Sequence, residues 1–254
     1  MDLTMNGRAD APRGRRVGAL ARLLLAAAML GASVAAHAGT INILPIRVCD
    51  NAGANCGNSA GTLYLAETNK IWAQAGIVFN YLPFASINNS VFTSLDSDAE
   101  ISNLFFFGPG APANPLTIAM YFVNSIVDAY GVAQLGGNRA AISNLVFAQG
   151  RLDTIAHEVG HLLGLRHEDP GVGPTYLMAA GADANGNALR ITPSTIGDIT
   201  PDGAGLDKLT PEQIRTALAD AKVIAVPLPA SAALLASGLV LVALRARRRG
   251  QAQH

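Results

Sequence analysis

Three histidines lie within a stretch of eleven residues, at His157, His161 and His167. His157 and His161 are four residues apart, so on a helix their side chains project from one face and can reach the same ion. Gly164 can adopt a positive φ and end that helix, and the turn would bring His167 back as a third ligand. The spacing therefore predicts a metal site at the C-terminal end of a helix.

Glu158 follows the first histidine and points about a quarter-turn away from it, towards a metal-bound water rather than the metal. Three neutral imidazoles leave the fourth position of a tetrahedral zinc open, as a catalytic zinc needs. Zinc lowers the pKa of bound water towards ~7 and polarises a scissile carbonyl. Glu158 would take the proton and pass it to the leaving amine. The pattern predicts one catalytic Zn²⁺ with Glu158 as the general base.

The distribution of histidines strengthens the metal prediction. The chain has five, of which His37 and His254 lie in the end segments and the other three occupy the predicted ligand positions. A single histidine would more simply be a surface or helix-capping residue, but chance rarely places a whole complement on one chelating pattern. The alternative is an exported surface or matrix protein whose zinc only stabilises the fold. The open fourth position and Glu158 count against that alternative.

The pattern His-Glu-x-x-His-x-x-Gly-x-x-His at 157–167 resembles the signature of the metzincin metallopeptidases. Those enzymes have a methionine in a tight turn beneath the metal, and Met178 resembles it, with ordinary core packing as the alternative. The resemblance implies an endopeptidase acting on a polypeptide substrate, which pairs with an edge strand somewhere in 131–143. The implied fold is α/β (α+β), with a twisted mixed sheet, an active-site helix and a small loop-rich C-terminal subdomain.

The residues after the third histidine leave the metzincin subfamily open. Glu168 follows that histidine as in astacins, yet Ala180 occupies the place of the zinc-reaching tyrosine of astacins. The stretch 167–171, followed by Leu177-Met178, looks more like the matrixin arrangement, although matrixins usually have serine after the third histidine.

The first 38 residues have the organisation of a secretory signal peptide. A basic stretch at 1–16 precedes an apolar stretch at 17–36, and Ala36-His37-Ala38 is a small-x-small cleavage pattern. An uncleaved membrane anchor is the alternative. A signal peptide at 1–38 predicts export and cleavage by signal peptidase.

Residues 226–249 form a second tripartite segment. Val226-Pro227-Leu228-Pro229 precedes fifteen apolar residues and an arginine cluster. The apolar stretch is short for a bilayer span, but the arginines suit its cytoplasmic end, and no polar face favours a core helix. The segment resembles the PEP-CTERM sorting signal, with Leu228 where that signal usually has Glu. It implies a surface or extracellular protein of a Gram-negative bacterium, whose tail contacts the membrane until an exosortase removes it.

The predicted catalytic domain, 39–225, is acidic. The whole chain is neutral, with 18 basic and 18 acidic residues, but nine basic and sixteen acidic residues lie between Gly39 and Val226, a net charge of −7. An acidic, exported domain is a poor candidate for nucleic-acid binding.

The two cysteines, Cys49 and Cys56, have six residues between them. In an oxidising compartment they predict a disulfide that closes a small loop. Two thiols without nearby histidines make an incomplete metal site, so a metal role is not expected.

Periodicity and turn residues predict the elements of the domain. Strands are expected at 40–48, 77–82 and 117–127, an irregular edge strand at 131–143, and helices at 59–75, 96–107, 153–163 and from Thr210 onward. Thr210 and Gln213 are expected to form a capping box at the start of the last helix.

Three other acidic residues are expected to be surface or capping charges rather than parts of the metal site. Asp153 is expected to cap the histidine helix, and Asp128 and Glu168 are expected to be surface or capping charges.

The region 169–209 is expected to be dominated by loops. Its segment 183–187 looks like half a calcium loop without the distal acidic ligand, so bound calcium is not expected.

Overall fold

Strand β1 (Gly39–Cys49) lies inside the main sheet and pairs with strands on both sides. Its apolar residues Ile41, Ile43, Ile46 and Val48 are buried. Helices cover both faces of a sheet in this class of fold, which is why an interior strand is rich in Ile and Val.

The computed structural model describes residues 39–167, 173–181 and 190–226. These belong to one of the two units into which the chain divides, Ala38–Val226. The predicted signal peptide, the predicted sorting tail beyond Val226, Glu168 and the segment 183–187 lie outside the described residues, so these predictions stay predictions. Within the described residues, no helix is long and apolar enough to cross a membrane.

The main sheet contains parallel and antiparallel pairs. The strands after β1 in the described residues are β2 (Ile77–Tyr81), β3 (Ala85–Asn88), β4 (Ser94–Leu95), β5 (Ile118–Val123), β6 (Ser125–Ile126), β7 (Gly131–Ala133), β8 (Arg139–Ser143) and β9 (Ile224–Ala225). The strand order is β2-β1-β5-β8-β7, in which only the last pair is antiparallel. β3 and β9 also pair with β1, and β4 pairs with β6 in a small second sheet.

Helices pack on both faces of this sheet. They are α1 (Leu65–Trp72), α2 (Asp98–Phe107), α3 (Leu145–Ala148), α4 (Thr154–Leu162) and α5 (Pro211–Leu218). One apolar cluster joins α1, α4 and α5 to one face, and a second joins α2 to the other. Met120 of β5 lies in the first cluster and its neighbour Tyr121 in the second, because successive strand residues point to opposite faces. The predicted α/β fold with a mixed sheet is confirmed.

The helix predicted at 59–75 begins only at Leu65. Tyr64, directly before it, has φ 45°, and Asn58 and Gly61 also have positive φ. A right-handed helix requires negative φ, so these residues cannot extend α1 towards its N-terminus.

Two predicted strands are each divided in the structure. The stretch 117–127 becomes β5 and β6, because β6 pairs with β4 rather than with the main sheet. The stretch 131–143 becomes β7 and β8, with Gly136 in the intervening turn at φ 66°. β7 is last in the strand order, so the prediction of an edge strand in this region is confirmed.

Two predictions from short-range chemistry are confirmed. Cys49 and Cys56 form a disulfide. At the start of α5, the Thr210 N–H donates to Gln213 Oε1 at 2.9 Å, and the Gln213 N–H donates to Thr210 Oγ1 at 3.1 Å. These two bonds are a capping box.

Candidate metal centre

Helix α4 carries two of the three clustered histidines and is held by apolar contacts. Its residues Ile155, Val159 and Leu162 are fully buried in the cluster beneath the sheet. A helix packed along one apolar face has a fixed orientation, so its histidines are presented in a fixed direction.

Gly164 ends this helix with φ 84°. The Gly164 N–H donates to the carbonyl of His161, and the Leu165 N–H donates to the carbonyl of Gly160, each at 3.0 Å. This pair of bonds is the Schellman arrangement, which a residue in the left-handed region permits. The chain then leaves the helix axis, and His167 follows three residues later.

The three histidines converge. His167 Nε2 lies 3.2 Å from His157 Nε2 and 3.2 Å from His161 Nε2, and one ligand atom of each residue lies within 4.8 Å of the others. Two nitrogens bound to one tetrahedral zinc at ~2.05 Å are about 3.3 Å apart. The two distances from His167 Nε2 match this value, so the group is suited to a zinc ion.

Backbone carbonyls determine the tautomers of two of these histidines. His157 Nδ1 lies 2.6 Å from the Leu177 carbonyl oxygen, and His161 Nδ1 lies 2.8 Å from the Leu165 carbonyl oxygen. A carbonyl only accepts, so each Nδ1 carries the proton and each Nε2 presents a lone pair. Two nitrogen lone pairs directed at one point favour a cation there. A metal-binding histidine usually donates its other ring N–H to an acceptor such as a backbone carbonyl, as both histidines do here.

The histidines are neutral at ordinary pH. Burial is the largest cause that lowers the pKa of His157, His161 and His167, and the positive charge of Arg190 also lowers it in all three. The neutral imidazole is the form that binds a metal. His157 is buried, His161 is half-buried and His167 is exposed, so the cluster opens towards solvent on one side.

Glu158 is 5% exposed and faces the edge strand β7. Its Cγ and Oε1 atoms lie against Gly131, the first residue of that strand. Burial raises the pKa of Glu158 to about 8, and Arg190 acts in the opposite direction. A divalent cation held by the histidines would lower this pKa again. The carboxyl group is therefore suited to exchange a proton near neutral pH.

Met178 lies beneath the histidine helix and is fully buried. It is in a turn, in which the Ala179 N–H donates to the Tyr176 carbonyl at 3.1 Å. A Cβ atom built on Gly160 of α4 would lie 2.5 Å from the Met178 sulfur. The residue is thus both in a tight turn, as the metzincin resemblance implies, and in the core, as the alternative holds.

Asp128 is exposed, as predicted. Asp153 occupies the N-cap position of α4, as predicted, but its side chain is neither a surface charge nor a cap. Asp153 makes no side-chain capping bond, is 0% exposed, and forms an ion pair with buried Arg190 at 3.0 Å. A buried carboxylate is costly unless it is paired, and Arg190 supplies the opposite charge. Arg190 also donates to the Leu177 carbonyl, and Asp207 lies nearby, as its interaction with both charges indicates.

Arg190 and Asp207 were not singled out from the sequence. Both lie in the region predicted to be loops, and no motif or periodicity surrounds them. The only available signal was a charged residue beside apolar ones, since Arg190 lies between Leu189 and Ile191 and Asp207 follows Leu206.

No protein-family model matches the chain, and no curated protein matches it. Among solved structures it is similar to a chaperone–substrate complex, with 15% identity and a TM-score of 0.46 over 73% of this chain and 34% of that one. The chain thus spans about a third of that structure's length.

Two further similar structures are described as an archaemetzincin and as a zinc-dependent peptidase. Archaemetzincin from Archaeoglobus fulgidus, complexed with malonate, has 20% identity and a TM-score of 0.32 over 59% of this chain and 94% of that one. A zinc-dependent peptidase from Methanocorpusculum labreanum has 14% identity and a TM-score of 0.35 over 57% and 90%. Because these three TM-scores are below 0.5, we infer function from the histidine geometry alone.

Proposed function

We propose that the chain is an exported zinc-dependent endopeptidase of the metzincin type. The observation that supports it most strongly is the convergence of His157, His161 and His167, with buried Glu158 next to the first of them. Three neutral imidazoles suit Zn²⁺ and leave one position open for a water or a substrate. The group offers one set of ligands, so one ion per chain is expected.

The residues around the site have separate roles in the proposed reaction. Bound zinc would acidify a water molecule and polarise the scissile carbonyl. Glu158 accepts the proton of the attacking water at its carboxylate and returns it to the leaving amine. The carbonyls of Leu177 and Leu165 keep the two helix histidines in the ligand tautomer. Gly131 and its strand exclude solvent from one side of the carboxylate.

Strand β7 is the proposed support for the substrate. Its neighbours bond inward to β8, since the Ser143 N–H donates to the Tyr130 carbonyl and the Gln134 N–H donates to the Arg139 carbonyl. Along an antiparallel strand, successive residues direct their N–H and C=O groups to alternate sides. Gly131 follows Tyr130, so its N–H and C=O groups point away from β8, towards the free edge of the sheet. An extended polypeptide can pair with such an edge, which would place its backbone beside Glu158.

Export is supported by the sequence at both ends. A signal peptide at 1–38 would direct the chain to signal peptidase, and the PEP-CTERM-like segment 226–249 would direct it to an exosortase-type enzyme at the membrane. The disulfide between Cys49 and Cys56 fits an oxidising compartment. These features favour a location at or outside the surface of a Gram-negative cell.

The test uses the purified full-length chain and a library of unstructured peptides, with cleavage read by mass spectrometry. We expect internal cleavage that a chelator abolishes and added Zn²⁺ restores. Glu158→Gln should lower kcat/KM by roughly 10²- to 10⁴-fold while zinc remains bound. Glu212→Gln makes the same change on an exposed side chain, and its activity should equal that of the wild type.

Two outcomes would contradict parts of the proposal. A wild-type chain that holds zinc but cleaves no peptide would support the structural zinc site of a surface or matrix protein. Full activity in Glu158→Gln would show that another group is the base, although the peptidase assignment would stand.

A further inference from the structure

The carbonyl oxygen of Leu177 accepts two hydrogen bonds. One comes from His157 Nδ1 at 2.6 Å, and the other comes from Arg190 Nη1 at 3.1 Å. A carbonyl oxygen has two lone pairs, so both are used. The group that determines the tautomer of His157 is therefore itself held by a side chain from a separate segment.

The same guanidinium is anchored to the helix that carries His157. Arg190 Nε lies 3.0 Å from Asp153 Oδ2, and the two side chains are 5% and 0% exposed. Asp153 precedes His157 by one helical turn, and the His157 N–H donates to the Asp153 carbonyl at 2.9 Å. Asp153, Arg190, Leu177 and His157 thus form a closed ring of contacts between α4 and the turn that contains Met178.

Stability alone does not explain this buried ion pair. A buried ion pair stabilises a fold no more, on average, than well-packed apolar residues of the same volume. Asp207 places a second carboxyl group nearby that is 1% exposed and has no hydrogen bond within the described residues. Burial and the negative charge of Asp153 raise the pKa of Asp207 to about 8. Protonation of Asp207 would leave a single negative charge, that of Asp153, opposite Arg190.

We propose that Arg190 is a positioning residue of the metal centre, which holds the Leu177 carbonyl where it orients His157 towards the ion. The inference rests on the proposed zinc function, and it gives Arg190 no contact with metal or substrate. Loss of such an outer partner typically weakens metal binding by 10- to 100-fold.

The first test compares two double variants of the full-length chain. Arg190→Met with Asp153→Leu removes both buried charges, so neither is left unpaired. Arg215→Met with Glu212→Leu is the control, because that ion pair is about 70% exposed on both sides. Zn²⁺ affinity is measured against a chromophoric chelator, and the absorption spectrum of bound Co²⁺ reports ligand geometry. We expect roughly 10- to 100-fold weaker zinc binding and a changed cobalt spectrum in the first variant only.

Arg190→Lys is the second test and keeps the buried positive charge. Arginine uses Nε for Asp153 and Nη1 for Leu177, whereas lysine has a single nitrogen and cannot reproduce both contacts. We expect folded protein with several-fold weaker zinc binding. Zinc affinity within twofold of the wild type and an unchanged cobalt spectrum, in either folded variant, would overturn the inference. Absence of zinc binding by the wild type would overturn the proposed function itself, so the two failures are distinguishable.

Discussion

Gly131 lies so close to Glu158 that a Cβ atom at residue 131 would stand 2.7 Å from the Glu158 Cγ and 2.9 Å from its Oε1. The edge strand therefore forms one wall around the carboxyl group that we assign as the base. Only a residue without a side chain fits this wall while the carboxyl group keeps its position.

Gly131→Ala should displace the carboxyl group without unfolding the chain, since the clashing atoms belong to a side chain that can rotate. A shift of about 1 Å at a catalytic group can lower the rate by ~10²-fold. We expect a 10- to 100-fold lower kcat and unchanged zinc content. Gly197→Ala is the control, because that exposed glycine has room for a methyl group, with its nearest atom at 3.4 Å. Normal kcat in Gly131→Ala would mean that Glu158 needs no fixed position.

The contact between Gly160 and Met178 predicts a coupled pair. Gly160→Ala adds a Cβ atom 2.5 Å from the methionine sulfur, so the overpacking cost of about 1–3 kcal/mol should exceed the ~1 kcal/mol gained in helix propensity. Met178→Ala alone should destabilise by roughly 2–5 kcal/mol. Urea unfolding of the double variant should show less destabilisation than the two single changes added together. Strict additivity would argue against the contact.

His167 is exposed and follows the helix, so His167→Ala should leave the apoprotein within about 0.5 kcal/mol of wild-type stability. In the wild type, zinc at a hundredfold excess over its Kd should add about 2.7 kcal/mol. Thermal unfolding with and without Zn²⁺ should show a metal-dependent rise in Tm for the wild type and little or none for the variant. An equal rise in both proteins would place the stabilising zinc elsewhere.

Asp207 should make the apoprotein less stable as the pH rises. Its pKa is raised from 3.8 to about 8 in the folded chain, so between these values the folded state holds a proton that the unfolded state has released. The contribution of Asp207 to stability then falls with pH, by at most ~1.4 kcal/mol per unit, and levels off above about pH 8.

Asp207→Asn mimics the protonated form and lacks this dependence. Its stability relative to the wild type should rise across that pH range, as measured by urea unfolding of the two apoproteins at pH 5, 7 and 9. A constant difference at all three values would show that Asp207 does not titrate between them.

Local sequence patterns were sufficient to predict features whose interacting residues lie only a few positions apart. The Thr210 capping box and the Cys49–Cys56 disulfide follow this rule, as does the convergence of the three histidines around the turn at Gly164. The longer strands and helices were also predicted, because burial imposes a period of two or 3.6 on apolar residues. The short strands β3, β4 and β9 and the short helix α3 were not. The start of α1 was missed because the conformation of Tyr64 has no such periodic signal.

Contacts between segments that are distant in the sequence could not be predicted from such local patterns. Leu177 lies 20 positions after His157, and nothing in its local sequence indicates that its carbonyl meets an imidazole. Asp153 has the local features of a helix cap, yet folding buries it against Arg190. The spacing of the histidines thus defined which atoms face one ion. The packing of β7, the turn at Met178 and Arg190 around α4 decided how those atoms and Glu158 are held, because that depends on which segments meet when the apolar faces are buried.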